Sequence, residues 1–195
     1  MSKSERTRQF IIEKAAPIFN QKGMAGTSIS DIMEATKLAK GGVYGNFDSK
    51  DEICLEVFNY LLKRLSSEID GYSLEEATAK GKLFALLDYY RDNLLRSDFG
   101  GCPILNFGVE ADDTNPAIKQ RVNQSIKAMQ SRISNLIIQG ISNGEFKDTF
   151  DAETFAVKAF TILEGAILIG RIQNSTQQMN LLVDMLKAEI NQFST

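Results

Sequence analysis

The side chains best suited to contact another molecule lie in one short, glycine-rich segment, residues 39–46 (AKGGVYGN). Lys40 can meet a phosphate, the hydroxyl of Tyr44 can bond to a phosphate or a base, and the amide of Asn46 matches an adenine edge. Each of the three glycines costs a helix about 1 kcal/mol relative to alanine. A core helix gains nothing from glycine at this cost, whereas a backbone that approaches another molecule closely needs residues without a side chain. A glycine-rich loop between two core helices is the alternative.

This segment occupies the second position of a predicted helix-turn-helix, which covers about residues 28–47. Residues 28–35, a turn at 36–38 and residues 39–46 match two short helices joined by a tight turn. In such a unit the first helix braces the second, and the second enters the major groove of DNA. Val43 and Phe47 are predicted to face inward and anchor the unit.

The side chain that enzymes use most often for proton transfer is missing. The sequence has no histidine, which excludes Ser-His-Asp triads, Cys-His pairs and His-containing metal sites. Cys54 and Cys102 are far apart and resemble neither a disulfide framework nor a zinc motif, and no Gly-rich phosphate loop is found. We therefore predict a protein that is not an enzyme and holds no cofactor or metal. An all-helical enzyme using carboxylates or Cys102 is the alternative.

Charge is unevenly distributed along the chain. The net charge is −3, yet residues 1–50 hold 8 Lys/Arg against 5 Asp/Glu, and the remainder carries −6. A mildly basic N-terminal stretch in an otherwise acidic chain favours contact between that end and an anionic polymer. There is no apolar run of about 20 residues, and the first residues lack the apolar stretch of a secretory signal. The sequence thus predicts a cytoplasmic protein without a transmembrane helix.

The elements that position these side chains are predicted to be helices throughout, which makes an all-α protein of about nine helices. Gly23 is expected to end the first helix, Thr27 to cap the second, and Ser73 with Glu76 to form the capping box of the fifth. The predicted helices cover about residues 4–22, 28–35, 39–46, 49–71, 73 onward, 103–110, 116–143, 152–173 and 176–193.

The last two helices carry more apolar surface than one contact can bury. Residues 155–170 are apolar nearly all round, so the eighth helix is expected to be covered on more than one side. Gly165, Ala166 and Gly170 would let a partner helix come close. The ninth helix has an apolar stripe formed by Leu181, Leu182, Met185, Leu186 and Phe193. We predict a homodimer through these two helices; the core of a monomer is the alternative.

Residues 7–53 resemble the TetR/AcrR family of bacterial repressors. Residues 40–52 contain the run that is typical of the family. It consists of a basic residue, Gly, any residue, an aliphatic residue, Tyr, two further residues and Phe, and it is followed by Ser-Lys and an acidic pair. Ala15, Phe19, Gly23 and Thr27 also match. Three departures, at Lys37, Ala39 and the pair Gly45 and Asn46, affect the turn, the helix cap and the DNA sequence that is read.

The resemblance implies a helix-turn-helix domain over residues 1–50 and a helical ligand-binding and dimerisation domain over 51–195. It implies a homodimer that binds a palindromic operator in double-stranded DNA and is released by a small-molecule effector. An interaction module that has lost DNA binding is the alternative. The implied DNA-facing residues are Thr27, Ser28, Lys40, Gly41, Gly42, Tyr44, Asn46 and Lys50.

An effector cavity between helices is predicted from residues that could equally be plain core. These are Phe84, Tyr90, Phe107, Met129, Phe160 and Glu164. Glu164 stands out, because an acid in an apolar helix needs a partner or a role. Cys102 precedes Pro103 at the predicted start of the sixth helix, where the helix dipole favours a thiolate. The sequence therefore suggests a thiol sensor at Cys102, with a small buried thiol as the alternative.

Overall fold

The computed structural model describes residues 2–93 and 100–195. Within these residues the chain forms nine α-helices and no strand beyond an isolated bridge between Phe146 and Ser194, so the all-α prediction is confirmed. The helices are α1 (Lys3–Gly26), α2 (Ile29–Thr36), α3 (Lys40–Tyr44), α4 (Lys50–Tyr72), α5 (Ala79–Asn93), α6 (Pro103–Ala111), α7 (Pro116–Ser142), α8 (Ala152–Gln173) and α9 (Gln177–Phe193).

The helices group into two compact units, each built from two separate stretches of chain. The first unit comprises Met1–Leu65 and Asp98–Val122, and the second comprises Ser66–Ser97 and Asn123–Thr195. The first therefore holds α1, α2, α3, α6 and the beginnings of α4 and α7. The second holds α5, α8, α9 and the remainder of α4 and α7.

The first unit is organised around α1, which packs against α2 and α6. Its buried face, which includes Ile11, Ala15 and Phe19, belongs to a core that also contains Ile32, Val43 and Phe47. The inward orientation predicted for Val43 and Phe47 is thus confirmed. The ring of Phe58 on α4 stacks on that of Phe107 on α6 at 4.9 Å between centroids. Burial of these apolar side chains is the main stabilising contribution to the unit.

In the connection from α1 to α2, the residue that caps α2 differs from the predicted one. Gly23 interrupts α1 as expected, with a left-handed φ of 79°, but a further turn follows it to Gly26. The N-cap of α2 is Ser28 rather than Thr27: its hydroxyl accepts from the N–H of Asp31, and the Asp31 carboxylate accepts from the N–H of Ser28. The hydroxyl of Thr27 instead donates to the carbonyl of Gly23 at 2.6 Å.

The start of α5 also corrects the sequence prediction. Ser73 does not cap it, because its hydroxyl donates to carbonyls at the end of α4. The helix begins at Ala79, where the Glu145 carboxylate accepts from the N–H groups of Ala79 and Lys80, each at 3.1 Å. Burial raises the pKa of Glu145, but these two bonds, a hydrogen bond with Asn143 and the charge of Lys82 together outweigh it and leave the pKa below its ordinary value.

In the second unit α9 packs against both α5 and α8. Phe155, Phe160 and Leu163 of α8 are buried together with Leu186 and Ile190 of α9. The ring of Phe150 stacks on that of Phe193 at 4.4 Å, at the end of α9. Within the described ranges, no helix combines the length and the apolar character that crossing a membrane requires.

Candidate nucleic-acid interface

The short helix α3 has one face in the core and the other toward solvent. Val43 is fully buried, whereas Lys40 and Gly41 are exposed and Tyr44 is 38% exposed. The ammonium of Lys40 lies 5.9 Å from the centre of the Tyr44 ring. The predicted inward anchor and the predicted contact residues therefore lie on opposite sides of this helix. Ala39, the N-cap, has no side-chain oxygen to accept from the first turn, so α3 begins without a side-chain cap.

The three glycines of this segment have different surroundings. A Cβ added to Gly41 would meet nothing within 4 Å, so the fold does not require glycine there. A Cβ on Gly42 would make ordinary contact with Leu38 at 3.4 Å. At Gly45 it would lie 2.9 Å from the carbonyl oxygen of Gly41, too close to tolerate without a shift. Gly45 is thus explained by packing, whereas Gly41 is not.

The side chain of Asn46 is engaged within the first unit. Its Nδ2 donates to the carbonyl of Gly42 at 2.8 Å, and its Oδ1 accepts from the hydroxyl of Ser4 at 3.4 Å. The amide therefore holds the end of α3 against the start of α1. Its predicted contact with an adenine edge would have to replace at least one of these bonds.

Thr27, Ser28 and Lys50 lie together at the connection between α1 and α2. Thr27 is 1% exposed, so it cannot reach a phosphate, whereas Ser28 is exposed at the start of α2. The ammonium of Lys50 donates to the carbonyls of Met24 and Thr27 at 2.9 and 3.0 Å. A lysine ammonium has three N–H donors, and two of them are used here.

Arg8 on α1 is a residue of this region that the sequence reasoning missed. Its guanidinium donates to the carbonyl of Asn46 and to the carboxylate of Glu52, the latter at 2.8 Å, and lies 4.1 Å from the centre of the Phe47 ring. The N–H of Asp48 and the guanidinium of Arg8 together lower the pKa of Glu52. No local pattern reveals these contacts, because Arg8 and Asn46 are 38 positions apart.

A second contact that was missed supports α2. The ammonium of Lys22 lies 2.6 Å from the carboxylate of Asp31. Hydrogen bonds from Lys22 and then from Ser28 hold the pKa of Asp31 well below its usual range. A carboxylate in the first turn also suits the positive end of the helix dipole.

The predicted effector residues are divided between the two units. Phe84, Tyr90, Met129, Phe160 and Glu164 belong to the second unit, and the remaining two, Cys102 and Phe107, belong to the first. In the second unit, the hydroxyl oxygen of Tyr90 and Oε2 of Glu164 are both shielded from solvent. Where the chain is described, no group of three or more Cys, Asp or Glu side chains is arranged to hold a metal ion.

The two cysteines have comparable burial but different positions. Cys102 is 7% exposed and is the N-cap residue of α6, the position predicted for it. Cys54 is 2% exposed, in agreement with its predicted place in the core. Burial raises the pKa of the Cys54 thiol to about 12, so this thiol stays protonated at neutral pH and is a poor nucleophile.

Two stretches of the chain match models of one protein family. Residues 11–57 match the family model described as bacterial regulatory proteins, tetR family, and residues 79–186 match the tetracyclin repressor-like C-terminal domain. A TetR transcriptional regulator from Chloroflexus aurantiacus is 35% identical, with a TM-score of 0.93 over 100% of this chain and 98% of its own.

Two sequence relatives agree with this assignment. An HTH-type transcriptional regulator of Mycobacterium tuberculosis is 30% identical over 92% of both chains. The HTH-type transcriptional repressor DhaR of a Mycobacterium species is 24% identical over 89% of this chain and 86% of its own. The basic-Gly-x-aliphatic-Tyr-x-x-Phe run, its outward-facing helix and these matches all lead to one conclusion: the chain belongs to the TetR family of bacterial regulatory proteins.

Proposed function

We propose that the protein is a repressor that binds a palindromic DNA operator as a homodimer and releases it when a small-molecule effector binds. Its family consists of DNA-binding transcriptional regulators rather than enzymes, in agreement with the sequence prediction. The observation that supports DNA recognition by α3 is its exposed face of Lys40, Gly41 and Tyr44. In this proposal residues 1–50 form the DNA-binding domain and residues 51–195 the effector and dimer domain.

In the proposed complex the glycines of α3 bring its backbone close to the edges of the bases. Lys40 contacts a phosphate, and Tyr44 offers its hydroxyl to a phosphate or a base. The start of α2 faces the DNA backbone at Ser28, which is exposed, and Lys50 uses its third N–H. Of the residues predicted from the sequence, the proposal keeps Ser28, Lys40, Gly41, Gly42, Tyr44 and Lys50. Thr27 is buried, and the Asn46 amide is bonded within the chain.

Gly41→Ala tests this proposal because its two expected effects have opposite signs. Alanine should stabilise the free protein by up to about 1 kcal/mol, since it favours the helix and meets nothing within 4 Å. The same methyl group should weaken DNA binding, because it occupies the space through which the backbone approaches the bases. Thermal unfolding and titration of a duplex selected from a random pool by the wild-type chain measure the two effects.

Gly71→Ala is the matched control. Gly71 lies in α4, and a Cβ there also meets nothing within 4 Å. It should raise thermal stability in the same way and leave DNA affinity unchanged. If Gly41→Ala binds the selected duplex as tightly as Gly71→Ala does, the face of α3 is not the DNA-contacting surface.

The dimer is proposed from the outer faces of α8 and α9. Val157, Leu168 and Ile172 of α8 are 50%, 48% and 76% exposed, and Leu181 and Met185 of α9 are 60% and 58% exposed. A Cβ on Gly165, which lies between Val157 and Leu168, would meet nothing within 4 Å. An exposed apolar patch of this kind is typical of an interface between proteins. A two-fold dimer would match a palindromic operator.

The effector is proposed to bind in the second unit, near Phe84, Tyr90, Met129, Phe160 and Glu164. Cys102 and Phe107 belong to the first unit and are separate candidates. The thiol version of this proposal is tested separately. Mild alkylation of the native protein should lower DNA affinity if Cys102 is a sensor, and Cys102→Ser should abolish the response. Equal affinity before and after alkylation would leave Cys102 as a buried thiol only.

A further inference from the structure

Gly23 leaves α1 with a short final turn whose first N–H groups need acceptors from elsewhere. Its backbone, at φ 79° and ψ 172°, is not helical, and residues 24–26 form a new turn after it. The first N–H groups of any helical turn have no acceptor within that turn. The N–H groups of Met24 and Ala25 are in this position, directly before the start of α2.

The carboxylate of Glu110, on α6, supplies both acceptors. Its Oε1 accepts from the N–H of Met24 at 2.9 Å, and its Oε2 accepts from the N–H of Ala25 at 3.0 Å. A Cβ at residue 23 would lie 2.1 Å from Oε1, so only glycine leaves room for the carboxylate. Hydrogen bonds to a charged acceptor are stronger than neutral ones.

The opposite end of the same short turn is held by Lys50, which donates to the carbonyls of Met24 and Thr27. An anion therefore lies at the N–H end and a cation at the carbonyl end, as the dipole of a helical turn favours. The turn leads directly into Ser28, the N-cap of α2. Its orientation consequently sets where α2 begins, and α2 shares its core with Val43 of α3.

We infer that Glu110 is a positioning residue for DNA binding: it contacts no DNA itself, but by capping residues 24–26 it fixes the start of α2 and hence the orientation of α3. This inference rests on the proposed function. The contact comes from α6, which lies far from the helix-turn-helix in sequence. In this inference α6 supplies a polar contact that holds the helix-turn-helix in place. Pre-organisation of this kind raises affinity by lowering the cost of ordering.

Loss of this carboxylate should leave the first unit folded, because other contacts keep α6 on α1. Nδ2 of Asn106 donates to the carbonyl and to Oδ1 of Asn20 at 3.0 and 3.1 Å. The Phe58–Phe107 stack lies in the same unit. Glu110 is itself only half-buried, so its removal creates no large cavity.

The test is titration of full-length protein with a duplex that the wild type selects from a random pool, over a series of salt concentrations. Glu110→Ala should weaken binding about tenfold, equivalent to 1.4 kcal/mol. Glu110→Gln should restore part of the affinity, because the amide keeps one acceptor oxygen. The salt dependence should not change, since its slope reports phosphate contacts, and none is removed.

The direction of the affinity change distinguishes a positioning role of Glu110 from an effect of its negative charge. Removing a negative charge should by itself favour binding to a polyanion, so weaker binding cannot arise from charge. Asp113→Asn is the matched control, an exposed carboxylate three residues further on, and it should bind DNA at least as tightly as the wild type. The amide resonances of Met24 and Ala25 should shift in Glu110→Ala and not in Asp113→Asn.

Three outcomes would overturn the inference. Wild-type DNA affinity of Glu110→Ala would do so. So would an affinity loss that is fully explained by the fraction of Glu110→Ala molecules that circular dichroism shows to be unfolded under the same conditions. Absence of any change in the Met24 and Ala25 resonances would show that the carboxylate does not cap the turn. If the wild-type chain selects no duplex, the proposed function itself fails. If it selects a duplex that Glu110→Ala binds equally well, only the inference about Glu110 fails.

Discussion

Arg8 connects three parts of the first unit through one side chain. Its guanidinium contacts the carbonyl of Asn46 after the end of α3, the carboxylate of Glu52 at the start of α4, and the face of the Phe47 ring. A planar fork can serve two acceptors and stack on a ring at the same time. The ammonium of lysine is a point charge and cannot reproduce this combination.

Arg8→Lys should therefore lower the free energy of unfolding by about 1 kcal/mol, the typical contribution of a hydrogen bond. It should also weaken binding to all duplexes alike, because it loosens the end of α3 without changing a base contact. Denaturant unfolding and DNA titration are the measurements. Arg6→Lys, at an exposed position on the same helix, is the control and should change neither.

Asn46 allows a direct test of what its amide does. The sequence predicted that it reads an adenine edge, whereas the structure engages both ends of the amide within the chain. We expect Asn46→Ala to lower stability by about 1 kcal/mol and to leave the sequence preference among bound duplexes unchanged. Selection from a random pool with each protein compares the preferences. A changed consensus at one base position would instead assign Asn46 to base reading.

At the residue scale, the sequence could indicate which side chains face inward but not which distant ones meet. Val43 and Phe47 follow from helical spacing and are buried as predicted. Arg8 and Glu110 have no such signal, because their partners lie 38 and 85–86 positions away. Spacing rules describe neighbours on one helix, and these contacts join different helices.

At the scale of elements, the predicted starts of α7 and α8 were correct because their caps are local. Asp151 accepts from the N–H of Thr154, and Asn115 accepts from that of Ile118. The start of α5 was wrong because its cap, Glu145, comes from the connection after α7. A capping-box pattern at Ser73 and Glu76 could not compete with this long-range carboxylate.

Removal of the α5 cap should show in a pH-dependent loss of stability. Glu145→Ala should cost about 1 kcal/mol at pH 7, a typical value for a helix cap. The folded-state pKa of Glu145 lies below its ordinary value. The contribution is therefore present above the unfolded-state pKa and is lost as the pH falls through the folded-state pKa.

Thermal unfolding of the wild type and of Glu145→Ala between pH 7 and pH 3 measures this difference. The two curves should converge toward low pH. Asp148→Ala, which removes an exposed carboxylate nearby, should show no such convergence. A stability difference that stays constant with pH would mean that Glu145 acts through packing rather than as an ionised cap.

For the whole molecule, the proposed dimer makes the outer face of α8 the most sensitive surface. Ile172→Glu places a charge at an apolar side chain that is 76% exposed in the single chain. The folded subunit should tolerate this change, whereas a buried dimer interface should not, because an unpaired buried charge is costly. Analytical ultracentrifugation should therefore show monomers, and DNA binding should weaken sharply.

Leu74→Glu is the control for this prediction. Leu74 is 84% exposed and lies outside α8 and α9, so a charge there should leave the association state and DNA binding unchanged. If Ile172→Glu remains a dimer with wild-type affinity, the subunits associate through another surface. This pairing stays a prediction from the sequence, made because a helix that is apolar all round needs more than one neighbour to bury its surface. The sequence cannot specify the operator or the effector, since each depends on a molecule outside the chain.

The interleaving of the two compact units along the chain has a practical consequence for exchanging parts between related regulators. The first unit needs Asp98–Val122 as well as Met1–Leu65. A hybrid that transplants only the N-terminal stretch would set Phe58 against a foreign α6 and leave the turn after Gly23 dependent on whatever residue replaces Glu110. Hybrids that carry both stretches together should keep their donor's operator choice, while those that carry one should fold less stably.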